Sequence, residues 1–202
     1  MKDDAAQDFL TGQLLIAMPN MGDQRFERSV VLICSHERDH AMGIVVNKRL
    51  QDVTVGELLQ QLEIPADKAV GDAPVFYGGP VQQDHGLVVH TLDYQSDQTM
   101  VVHDNVGVTG TQQILADLAQ GGIDEQRPAN FLLALGHAGW SGGQLEEELQ
   151  MNAWAHVPLS EDILFGGENR DIWRSALAKL GVSAAMLSPE WMRARDSNAP
   201  LN

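Results

Sequence analysis

The stretch GHAGWSGGQLEEELQMNAW, Gly136 to Trp154, reads as the end of a strand, a tight glycine-rich turn and an acidic helix in direct succession. The run Phe131–Leu135 just before it is apolar and of strand length. Leu145 and Leu149 follow at i, i+4 spacing, a narrow apolar stripe for the core, with Glu146, Glu147 and Glu148 pointing in other directions. Ser141 and Gln144 fit a capping box, in which a hydroxyl and an amide satisfy backbone N–H groups at a helix start.

Working outward, apolar runs of strand length recur at Leu14–Met18, Val30–Cys34, Gly43–Val46, Val75–Tyr77, Leu87–Val89 and Met100–Val102. Several are too continuously apolar to have one wet face, so the sheet is expected to be covered on both sides or curled onto itself. Helices fall between them. Thr54 with Glu57 has the capping-box form before Leu58, Leu59 and Leu62, and Thr109 or Thr111 can cap a helix carrying Ile114, Leu115 and Leu118 that stops at Gly121–Gly122. A last helix is expected from Asn169, carrying Ile172, Trp173, Ala176, Leu177 and Leu180, with Gly181 at its end. Strands and helices do not alternate regularly, which predicts an α+β fold.

The chain has 202 residues, 44% of them hydrophobic, enough for one substantial core, and no apolar run long enough to span a membrane. A single domain over residues 1–202 is expected, with frayed ends at about 1–8 and 188–202. The acidic start Met1-Lys2-Asp3-Asp4 and the lone Cys34 favour a cytoplasmic location. Thirteen basic against 28 acidic side chains give a formal charge of −15, which repels nucleic acid and acidic membrane surfaces. Neither is expected as a partner.

Two motifs resemble catalytic signatures. His36-Glu37-Arg38-Asp39-His40 matches H-E-x-x-H, a zinc-site pattern that requires a helix. Here it separates two strand-like runs, so it is expected to form the turn of a hairpin, and no metal is assigned. Gly139-Trp140-Ser141-Gly142-Gly143 matches G-x-S-x-G in the strand-to-helix context of a nucleophile elbow. The only His after Ser141 is His156, just beyond the helix, and the only acids between them lie on that helix, so a triad in this order would be cramped. A helix cap accounts for Ser141 without catalysis.

The same turn could instead bind a ligand. Gly136, Gly139, Gly142 and Gly143 allow close backbone approach, helix N-terminal amides favour an anion, Trp140 offers a flat wall and His137 a titratable donor. A second corner, Tyr77-Gly78-Gly79-Pro80, and Asn47 after the strand Gly43–Val46 complete a pocket if the strand ends converge.

These residues resemble the AlgH/YqgE family of small bacterial proteins over nearly the whole chain. The marks are Gly12-Gln13-Leu14-Leu15-Ile16-Ala17 with Pro19, Asp23-x-x-Phe26-x-x-Ser29-Val30, and Ala41-Met42-Gly43 leading to Asn47. They continue with Gly78-Gly79-Pro80-Val81, then Gly136-x-x-Gly139-Trp140-x-x-Gly143-Gln144-Leu145-Glu146-x-Glu148, and Asn152-x-Trp154. The resemblance implies an α+β fold with a bifurcated, partly barrel-like mixed sheet surrounded by helices. It implies no settled activity, only a label of transcriptional regulator for which this acidic chain offers no DNA-binding motif. Three positions depart from the family pattern: Lys48-Arg49-Leu50 follows Asn47 where a Pro is common, His137 stands where Tyr is common, and Ser141 stands where relatives often have another residue, which speaks against a serine hydrolase.

The expected function is therefore a non-enzymatic regulatory or small-ligand-binding protein without a cofactor. Its site residues would be Asn47, Gly78, Gly79, Pro80, His137, Gly139, Trp140 and Gln144, and its ligand a nucleotide or other small anion. The alternatives are a hydrolase using Ser141 or His137 and a module binding a basic protein partner through Glu146, Glu147 and Glu148.

Overall fold

The computed structural model describes residues 10–65, 68–119, 127–166 and 171–183. Strands β1 (Gln13–Ala17), β2 (Val30–His36) and β3 (His40–Val45) form an antiparallel meander, and β10 (Trp154–Pro158) pairs with the outer edge of β1. The pivot is β9 (Phe131–Ser141). Its C-terminal part pairs antiparallel with β3, from Gly43↔Ala138 to His40↔Ser141, while its N-terminal part pairs parallel with β5 (Pro74–Tyr77). β3 and β5 thus follow one another along the same edge of β9, and the sheet forks between them. The opposite edge of β9 holds β6 (Val81–Thr91), followed by β8 (Val106–Thr109) and β7 (Met100–His103), while β4 (Arg49–Thr54) pairs with β5.

Glycines make the fork possible. The chain leaves β5 on one edge of β9 and must cross it to enter β6 on the other. It does so at Gly78 and Gly79: a Cβ on Gly78 would lie 2.1 Å from the Gly136 carbonyl oxygen, and one on Gly79 2.1 Å from the His137 carbonyl carbon. Gly136 itself has φ +75°, and this left-handed kink reverses the strand's facing. Ala134 points into one core and Ala138 into another, although residues four apart in a regular strand share a face.

Three apolar clusters result among the described residues. Leu14, Ile16, Leu32, Ile44, Val89 and Leu132 line the concave interior, which α5 (Glu161–Phe165) and α6 (Ile172–Lys179) close through Leu164, Trp173 and Leu177. Neighbours of opposite parity, Leu15, Val31 and Val45, face outward with Trp140 and are covered by α4 (Gln144–Gln150) through Leu145. On the other arm Val75, Val88 and Leu133 are covered by α1 (Val55–Gln61), α2 (Lys68–Gly71) and α3 (Gln112–Ala119). The sheet curls until Gly12 meets β7, where a Cβ would sit 2.3 Å from the Val102 carbonyl oxygen. The result is a forked half-barrel with helices on both faces, the α+β architecture expected from the sequence.

Several local expectations hold. Thr54 and Glu57 form both bonds of a capping box, at 3.3 and 2.9 Å, and Gly181 ends α6 with φ +71°. Others are corrected. β4, β8 and β10 lack the continuous apolar run that marks a buried strand, and Leu62 is 44% exposed after the end of α1. The Thr109 hydroxyl is bound to His90 and Thr99 inside the sheet, and Thr111 Oγ1 has no partner among the described residues, so neither caps α3. Asp171 caps α6, its carboxylate accepting from the Arg174 N–H; Asn169, Gly121 and Gly122 lie outside the described residues, as do both chain ends.

Candidate functional site

The kink at Gly136 decides where the site forms, because it turns Trp140 outward beneath α4. The glycine-rich turn is shorter than the sequence suggests: β9 runs through Gly139 and Trp140 to Ser141, leaving Gly142 and Gly143 alone before the helix. Gly143, with φ +78°, is the N-cap and supplies no side-chain bond. Ser141 therefore does not cap the helix. Instead its N–H and its hydroxyl both donate to Gln144 Oε1 at 3.1 Å, one half of the expected box.

Gln144 passes the connection on. Its Nε2 donates to Glu148 Oε1 at 2.9 Å, and Glu148 Oε2 accepts the indole N–H groups of Trp140, at 2.9 Å, and Trp154, at 2.7 Å. Both tryptophans are buried, so a carboxylate taking two indole donors and one amide fixes the rings in place. The rings meet edge to face, with Phe26 edge-on to Trp154 on the far side. Glu148 is the residue the sequence reading missed. Its i, i+4 relation to Gln144 was the available clue, hidden in a glutamate run that reads as a solvated face.

Around this hub lies a cleft of about 590 Å³ lined by Pro80, Gly139, Trp140, Gln144 and Glu148 together with residues 20–23, Arg25, Phe26 and Met151. Four of the eight predicted site residues thus share one cavity. A Cβ on Gly139 would meet nothing within 4 Å, so this glycine opens directly onto the space. Asp23 and Arg25 line the same cleft as a clasped pair, the Arg25 Nη2 donating to Asp23 Oδ2 at 2.6 Å. The guanidinium holds the Asp23 carboxyl below the usual carboxylate range. Lys48 Nζ secures the same segment by donating to the Arg25 carbonyl at 2.7 Å.

The other four predicted residues do not line this cleft. Asn47 is a structural clamp: its Oδ1 accepts the Val30 N–H at 2.8 Å and its Nδ2 donates to the Arg28 carbonyl at 2.8 Å. It borders a different cavity. Gly78 and Gly79 are buried in the strand crossing, their role one of close packing. His137 is half-buried opposite Val81, and burial lowers its pKa, with the positive charge of His85 adding to the shift.

The catalytic look-alikes separate as well. His36 and His40 flank a hairpin turn, as expected. His36 is buried, its Nδ1 accepting the Leu10 N–H at 3.0 Å and its Nε2 lying 2.9 Å from Glu146 Oε1, whereas His40 is exposed beside Asp39. Ligand atoms of Glu37, Asp39 and His40 lie within 4.8 Å of one another, but all three residues are exposed. The Ser141 hydroxyl bonds Gln144, and His137, four residues away on the same strand, is about 13 Å distant at β rise. Nor does His156 reach the serine: its Nδ1 lies 2.6 Å from Gln13 Oε1. Cys34 is buried and its thiol is pushed up to about 12, so it stays protonated. Of the three glutamates on α4, Glu146 and Glu148 turn inward to His36 and the indoles, leaving Glu147 as the exposed one.

A family described as AlgH-like matches residues 14–185. The chain belongs to this AlgH-like family. A UPF0301 protein of Ruegeria pomeroyi is 47% identical over 181 residues, covering 89% of this chain and 96% of its own. One from Paracoccus denitrificans is 43% identical over 184 residues, covering 90% and 95%. The solution structure of the AlgH protein from Pseudomonas aeruginosa is similar with a TM-score of 0.73 at 30% identity over the full length of both chains. A crystal structure of a protein from Corynebacterium diphtheriae, 23% identical with a TM-score of 0.67 over 83% of this chain and 85% of that one, shares the fold. Among the described residues of this AlgH-like chain, no helix is long and apolar enough to cross a membrane.

Proposed function

We propose that this chain is a cytoplasmic, non-enzymatic small-ligand-binding protein whose site is the cleft at Trp140. The observation that carries this reading is the convergence of Pro80, Gly139, Trp140 and Gln144 on one cavity of about 590 Å³. That volume is typical of small-molecule sites, which combine apolar walls with a few fixed polar groups. Trp140, Phe26, Met21 and Pro80 supply the walls; Asn20, Gln144 and Arg25 supply the polar groups. The ring positions are set before any ligand arrives, because Glu148 holds Trp140, and a preorganised wall lowers the entropy cost of binding.

The polarity of the cleft favours a neutral or cationic polar ligand over a nucleotide. Among the described lining residues, Asp23 and Glu148 contribute two carboxylates against the guanidinium of Arg25. The helix beyond is seven residues long with Glu146 and Glu147 in its first turn, so its partial positive charge is answered within the helix itself.

Gly139→Phe tests the site. A Cβ at this position would meet nothing within 4 Å, and Gly139 lines the cleft, so the added ring is directed to occupy it. Native mass spectrometry of protein purified from its host, with thermal-shift screening of metabolites, should show a retained or stabilising ligand that Gly139→Phe loses while keeping its own melting temperature. A ligand held equally by both proteins would move the site elsewhere.

A further inference from the structure

A second cavity, of about 510 Å³, opens where β4, β5 and the start of β9 meet α5 and the first turn of α6. Among the described residues it shares no lining residue with the cleft at Trp140. Its floor is apolar: Phe76, Leu132 and Leu164 are buried, and Phe131 and Phe165 are half-buried beside them. Its size lies within the range of roughly 300–1,000 Å³ seen for small-molecule sites.

Among the described residues, two charged side chains stand at the rim. Asp171 is engaged by its own helix, its Oδ1 accepting the Arg174 N–H and its Oδ2 pairing with the Arg174 guanidinium, both at 3.1 Å. Arg49 lies across Phe76, its guanidinium carbon 5.9 Å from the ring centroid, which stations a cation at the edge of the apolar floor. With five N–H donors in a planar fork, a guanidinium can take a carboxylate while keeping other contacts. Asn130 adds an amide at the same rim. In a chain of formal charge −15, a cation beside three phenylalanines is a local inversion of the protein's overall character.

We propose that this cavity binds a small organic acid with an apolar body, an aromatic or medium-chain carboxylate, with the acid group on Arg49 and the hydrocarbon among Phe76, Phe131 and Phe165. A nucleotide fits poorly, because its many polar groups would be desolvated against phenylalanine without partners. An apolar amine meets the wrong charge.

Calorimetry and NMR amide-shift mapping with 3-phenylpropionate and octanoate test this, with the primary amides of the same acids as uncharged probes. The acids should bind and shift the amides of Phe131, Leu132 and Ile172. Arg49→Gln should weaken the acids at least about tenfold, the loss expected for a charge-assisted contact, and leave the primary amides unchanged. Ala129→Trp, at an exposed rim position, should block both. Gly139→Phe, in the other cleft, should alter neither, which separates this site from the one at Trp140. Equal binding of acid and amide, binding that survives Ala129→Trp, shifts confined to the Trp140 cleft, or no binding up to millimolar probe would each overturn the proposal.

Discussion

Trp154 and Trp140 donate their indole N–H groups to the same atom, Glu148 Oε2, at 2.7 and 2.9 Å. One carboxylate oxygen thereby satisfies two buried donors from strands that lie at opposite ends of the β10-β1-β2-β3-β9 arm. Replacing it should strand both. Glu148→Ala is expected to cost about 2–6 kcal/mol, since each of the two buried unsatisfied donors costs about 1–3 kcal/mol. Urea unfolding followed by tryptophan fluorescence measures this; a loss under about 0.5 kcal/mol would show that the indoles find other partners.

The structure makes opposite predictions for Gly78, in the strand crossing, and Gly139, farther along β9. Gly78→Ala forces a methyl to within 2.1 Å of the Gly136 carbonyl oxygen, so the protein should be severely destabilised or fail to fold. Gly139→Ala meets open space in an extended strand and should be neutral or stabilising by up to about 1 kcal/mol. Circular dichroism melts of the two variants side by side decide the point, and similar melting temperatures would refute the crossing as drawn.

Asn47 should behave as a clamp. Asn47→Ala leaves the buried Val30 N–H without its acceptor and the Arg28 carbonyl without its donor, an expected loss of about 1–3 kcal/mol. Asn47→Asp keeps the acceptor but sets an oxygen against the Arg28 carbonyl, so it should rescue little. Full stability of Asn47→Asp in thermal denaturation would argue against this geometry.

His90 predicts a pH dependence. It is buried, its Nδ1–H donating to the Thr91 carbonyl and its Nε2 accepting from the Thr109 hydroxyl, both at 2.9 Å. Burial lowers its pKa, the Thr91 carbonyl and Asp93 opposing more weakly. Between the folded value and the ordinary value of about 6.5 the unfolded chain binds more protons, so stability is full above about pH 6.5 and falls as pH drops through the folded value. Chemical denaturation from pH 8 to pH 5 should show this decline, and His90→Asn should flatten it. An identical slope in the variant would assign the decline to another group.

Legibility of the sequence followed the locality of each interaction. Thr54 and Glu57 were readable as a cap because the partners lie three residues apart, and the hairpin around Glu37–Asp39 was readable from the apolar runs on either side. Glu148 was not, because its role depends on Trp154 and Trp140 meeting above one helix. Gly78 and Gly79 were marked as a corner of a ligand pocket, but what they lie against is the backbone of Gly136 and His137 of β9 rather than a ligand.

By itself the sequence determined the family, the α+β class and the placement of most strands and helices, since these rest on periodicity, capping and turn residues within short windows. Only the tertiary structure decided which marked residues share a space. Pro80, Gly139, Trp140 and Gln144 meet, while Asn47 falls in a second cavity beside Arg49. The physical reason is the left-handed kink at Gly136, which reverses the facing of β9 halfway along its length, and no period-two reading of a strand can foresee that reversal.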